Sequence, residues 1–101
     1  MQDTMPRDTA KNAIDDLIAA EWALEHWPID WINPQGVSRE SLVDRSREAH
    51  TAMLTALARL PDADAAAVLA ANPDYDDDGE AFPVAQLSDI RRHRAKLRTV
   101  R

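Results

Sequence analysis

The apolar positions recur at three- and four-residue steps over most of the chain, which is the period of helices that each bury one face. In the first segment Ala10, Ala13, Ile14, Leu17, Ile18 and Leu24 share such a face, and Glu21 interrupts it. Pro6 suits a first turn and Pro28 disfavours helix at the residue before it, so the pattern predicts a helix over about 6–27. Residues 28–37 hold Pro28, Pro34 and Gly36 and read as an ordered loop anchored by Ile29, Trp31 and Ile32.

The second segment has the clearest start signal. Ser38 is a good N-cap, and Val37 and Leu42 sit where a hydrophobic staple closes. Leu42, Ser46, Ala49, Met53, Ala56 and Leu60 then alternate four- and three-residue steps, widened by Val43, His50, Leu54 and Leu57, which predicts a helix over about 39–60 stopped by Pro61. A short third helix is expected over about 63–71, capped by Asp62 and stopped at Asn72 and Pro73. The acidic run from Asp74 to Glu80 reads as a loop, and a fourth helix is expected from near Pro83. Leu87, Ile90 and Leu97 form its seam, with Arg94 where a fourth apolar residue belongs.

These segments predict an all-α fold, a compact bundle of three long helices and one short helix, as a single domain over residues 1–101. Composition agrees. Alanine and leucine dominate the apolar residues, and only two glycines occur among 101 residues, which disfavours an all-β fold. The absence of cysteine excludes disulfides and thiolate metal sites. No apolar stretch reaches signal-peptide or membrane-span length, so the expected location is the cytoplasm, with no membrane partner.

Charge changes the picture more than composition does. Residues 1–90 carry all 18 acidic side chains and six of the 12 basic ones, whereas residues 91–101 carry Arg91, Arg92, Arg94, Lys96, Arg98 and Arg101 with no acid. The chain has an acidic body and a basic end. The unpaired charges in the seams, Glu21 and Arg94, are expected to meet across the bundle, because a buried charge without a partner is costly.

Candidate chemistry is sparse. Asp74, Asp76, Asp78 and Gly79 match the first, third, fifth and sixth positions of a calcium-binding EF-hand loop, between two expected helices as that motif requires. The twelfth position, where the motif places a bidentate Glu, is Ala85, so a solvated acidic turn is the expectation. Glu21, Glu25, His26 and His50 are conceivable ligands, yet the paired Glu-x-x-His motif of helical metal sites is missing. His50 is expected at the edge of its seam, partly buried. No phosphate loop, nucleophile elbow or HExxH occurs, so no catalytic residue, metal ligand or cofactor is assigned, and the chain reads as a binding protein rather than an enzyme.

The candidate partner-binding residues are Asp74, Asp76, Asp77, Asp78 and Glu80, with Trp22, Trp27 and Trp31, since clustered aromatic side chains make good binding anchors. The expected partner is another protein with a basic surface, the chain acting as an inhibitor or adaptor on a nucleic-acid-handling protein. Small acidic proteins of phage and mobile elements, including DNA mimics and inhibitors of bacterial defence systems, are similar in size and charge. That similarity is one of composition. The alternative is a nucleic-acid-binding regulator that uses Arg91, Arg92, Arg94, Lys96 and Arg98, although no aromatic residue is interleaved among them to stack on bases. A homodimer is compatible with the small size, and the leading expectation for the basic end is charge pairing with the acidic body.

Overall fold

The computed structural model describes residues 4–26 and 38–99. Four helices and one small hairpin follow in the order α1 (Thr4–Glu25), α2 (Arg39–Ala58), α3 (Asp62–Ala71), β1 (Asp74–Tyr75), β2 (Ala81–Phe82) and α4 (Leu87–Thr99). The described part is therefore mostly helical, as the periodicity predicts. α1 and α2 form the main packed pair, α4 lies against α2, and α3 touches both α1 and α4.

The apolar faces meet where the steps place them. Ala10, Ile14 and Leu17 of α1 join Met53, Ala56 and Leu57 of α2, with Val68 and Leu69 of α3 and Ile90 of α4, in one buried cluster. Ile14, Met53, Leu57 and Ile90 are wholly inaccessible to solvent. Glu21 interrupts the apolar face of α1 because it points outward. Among the described residues no charged or polar residue is buried.

The helix ends show local chemistry at work. Ser38 caps α2, its side chain accepting a bond of 3.1 Å from the Ser41 amide. Val37 of the expected staple lies outside the described residues, as does the loop over 28–37. Asp62 is not the N-cap of α3. Pro61 holds that place, its carbonyl accepting from the Ala65 amide at 2.9 Å, and Asp62 starts the helix with its carboxylate turned to α4. At the other end Asn72 donates its side-chain amide to the Val68 carbonyl at 2.9 Å, which satisfies one of the carbonyls that the helix leaves open.

α4 begins at Leu87, later than Pro83 suggests, because residues 81–82 are held in the hairpin. Asp89 fixes the new start: its carboxylate accepts from the Gln86 amide at 3.0 Å, one half of a capping box. The helix spans 13 residues against 22 in α1 and 20 in α2. Its expected seam ends early, since Ile90 is buried but Leu97 is 46% exposed.

Candidate functional site

The acidic run is built as a hairpin. β1 and β2 pair antiparallel, Asp74 opposite Phe82 and Tyr75 opposite Ala81. The Gly79 amide donates to the Asp76 carbonyl at 2.9 Å and the Asp76 amide to the Glu80 carbonyl at 3.0 Å. Among the described residues only Gly79, at φ 82°, has a positive φ, so Asp77 and Asp78 form a type I turn and Gly79 supplies the left-handed residue that follows it. Asp76 locks the turn from its first position. Its carboxylate accepts from the Asp78 and Glu80 amides, each at 2.9 Å.

Sequence reasoning placed these residues in a loop and missed the strands. The signal was present in Tyr75 and Phe82 flanking an Asp-Asp-Gly turn. The EF-hand likeness is put to a different use in this geometry, because Asp76 Oδ1 is engaged by backbone amides and Asp74 Oδ1 by the Tyr75 amide at 2.8 Å. Among the described residues no three His, Asp or Glu side chains converge as a metal site would require.

Beside the hairpin runs an apolar groove of about 400 Å³. Ala66, Leu69 and Ala70 of α3 form one wall, Pro73, Ala81, Phe82 and Pro83 the hairpin wall, and Ala85, Gln86 and Leu87 the approach to α4. None of these side chains is charged. Ala66 and Ala70 face solvent, and Phe82 is 43% exposed.

The basic end is brought back onto the body, but at Asp62 rather than Glu21. Arg94 donates through Nε to the Ala58 carbonyl at 3.1 Å, through Nη2 to the Leu60 carbonyl at 3.0 Å and through Nη1 to Asp62 Oδ1 at 2.9 Å. Arg91 donates through Nε to Asp62 Oδ2 at 3.0 Å. The expected pairing of Glu21 with Arg94 is thus overturned, because Arg94 sits where α2 ends and its orphan carbonyls draw a cation. The hydrogen bond from Arg94, then that from Arg91, holds the Asp62 carboxyl below its ordinary value of 3.8. Arg92 pairs with Asp89 at 3.6 Å, and Lys96 and Arg98 lie on the exposed side of the helix. Sequence reasoning missed Asp62 as the hub, since a carboxylate after Pro61 looks like a cap.

The remaining candidates are dispersed. Arg7, near the start of α1, pairs with Asp64 of α3. Trp22 lies 15 residues further on, about 22 Å along the helix at 1.5 Å per residue. The end of α1 that meets α3 is therefore not the end that carries the tryptophan. Trp22 is 43% exposed and stacks on His26 at a centroid distance of 4.2 Å. His26 Nδ1 lies 2.8 Å from the Trp22 carbonyl, which can only accept, so Nδ1 carries the proton. Trp27 and Trp31 lie outside the described residues. His50 is exposed rather than partly buried, and with Glu21, Ser46 and Arg47 it lines a shallow depression between α1 and α2.

Among the described residues no helix is long and apolar enough to cross a membrane. No protein-family model matches the chain, and none of the curated proteins or solved structures compared with it matches significantly.

Proposed function

We propose that the chain is a protein-interaction module whose acidic hairpin engages a basic surface on a partner protein, in the manner of an inhibitor or adaptor. One observation carries the reading. Residues 62–90 contain eight acids and no cation, and while Asp62, Asp64 and Asp89 have arginine partners, the five on the hairpin have none among the described residues. Like charges held on a turn repel one another, and a cationic surface relieves that repulsion and is attracted from a distance.

The alternative, nucleic-acid binding through α4, has less to work with. Arg91, Arg92 and Arg94 already face carboxylates, and the acidic body repels phosphate.

The test uses the chain as bait in an extract of its native host, beside a variant carrying Asp76→Asn, Asp77→Asn and Asp78→Asn. Asn at position 76 keeps the side-chain oxygen that accepts the turn amides, so the hairpin survives while the charge is lost. A cationic protein retained by the parent and lost by the variant is expected, with an association rate that falls steeply with salt because screening acts over about 8 Å at physiological ionic strength. Equal association rates for parent and variant at low salt would remove the hairpin from the interface. Titration with DNA and RNA at two salt concentrations separates the alternative.

A further inference from the structure

We infer that the groove between α3, the hairpin and the start of α4 receives an amphipathic helix of a partner protein, one whose apolar stripe is flanked by Lys or Arg. The inference rests on the reading of the hairpin as an interface and adds the shape and chemistry of what binds there.

The groove joins two properties. Its lining is apolar, with Phe82 standing 43% exposed in one wall, and Ala66 and Ala70, one helical turn apart, exposed in the other. Alanine side chains let a second helix axis approach to the short end of the usual range of about 8–10 Å. The hairpin wall carries negative charge beside that lining. Asp74 is the cross-strand partner of Phe82, and directly opposed residues of an antiparallel pair present their side chains on one face. Glu80, two residues before Phe82, accepts from the Asp76 amide through its carbonyl at 3.0 Å, at the turn end of the same wall.

An apolar floor with an acidic rim selects among occupants. Nucleic acid and anionic lipid headgroups are repelled by five carboxylates with no cation partner among the described residues. A neutral apolar segment gains burial but leaves those carboxylates uncompensated. A helix with a leucine-type stripe and basic flanks satisfies both, with side chains at i, i+3, i+4 and i+7 set along the groove.

The probe is a synthetic helix with one leucine face and one lysine face, with two controls in which serine replaces leucine or glutamate replaces lysine. Binding is followed by amide chemical-shift mapping and by fluorescence anisotropy. One-to-one binding is expected, with shifts at Ala66, Ala70, Phe82 and Leu87. Phe82→Asp should weaken it by roughly tenfold or more, the loss typical of an interface anchor. Ala70→Arg, in the α3 wall of the groove, should do the same while the Met53 amide in the core keeps its shift.

If the serine control binds as tightly as the leucine helix, with shifts confined to the hairpin turn, the groove is not the site although the acidic interface stands. If no probe binds even at low salt, both readings fall. A concentration-dependent dimer abolished by Phe82→Asp would overturn the proposal in favour of a second copy of this chain in the groove.

Discussion

Arg94 divides one guanidinium among the Ala58 carbonyl, the Leu60 carbonyl and Asp62. The planar fork suits this work, because its donors point in fixed and different directions, whereas a lysine ammonium is a single point on a flexible stem. With its side chain only 25% exposed, Arg94 shields those carbonyls from water as it bonds them. Replacing Arg94 by Met should cost about 1–3 kcal/mol, the range for leaving partly buried acceptors without a donor. Arg94→Lys should recover only part of that in urea unfolding. Asp62 gives the same corner a pH signature. Its folded carboxyl titrates below the ordinary 3.8, so its contribution is complete above that value and is lost as pH falls further through the folded pKa. The melting temperature should drop as pH is lowered below about 4, the reference value for Asp. In Asp62→Asn that part of the acid dependence should be absent, with a lower stability at neutral pH.

The hairpin depends on one backbone angle. Gly79 at φ 82° has open space where a Cβ would stand, so Gly79→Ala meets no collision and its cost is conformational alone. That cost is about 1–2 kcal/mol, the penalty of a left-handed residue with a side chain. It should appear as faster amide exchange at Asp76 and Glu80, with little change at the Met53 amide in the core.

The elements differ in how far the sequence discloses them. α2 is legible nearly end to end because cap, periodic face and stopping proline agree, and of the buried residues of α1 Ala10, Ile14 and Leu17 fall on its expected stripe, while Ala20 is buried without belonging to it. The hairpin is less so: two-residue strands are too short to show alternation, and the acids between them match a metal loop and a turn equally well. The groove was not legible at all, because α3 carries alanines on its buried and exposed sides alike, and only packing decides that Ala65 is inside while Ala66 is outside. The arginine in the seam of α4 was visible as an anomaly. Its partner was not, since chain order does not say which helix end will lie beside it.

Among the charges of the described residues two sets stand apart. Cations from both ends of the described chain are drawn to the start of α3, Arg7 to Asp64 and Arg91 and Arg94 to Asp62, where they tie helices together. The hairpin acids make no such ties between helices: Asp74 and Asp76 accept only from amides of their own hairpin. The variant with Asp76→Asn, Asp77→Asn and Asp78→Asn should therefore unfold within about 0.5 kcal/mol of the parent, because Asn at position 76 keeps the oxygen that accepts the turn amides and the other two are exposed substitutions. A calorimetric melt at low salt checks it, and a large loss would mean that these carboxylates stabilise the fold.

The bond from Arg94 to Asp62 closes a span of 32 residues. During synthesis the corner between α2 and α3 emerges first and stands open until the chain has grown through position 94. At about 5–20 residues per second that interval is about 2–6 s. Through it α1, α2 and α3 can gather while the last carbonyls of α2 remain bonded to water. The final helix thus acts as the latch of the assembly, and a chain interrupted before residue 94 would have the door and the frame but nothing to hold them shut.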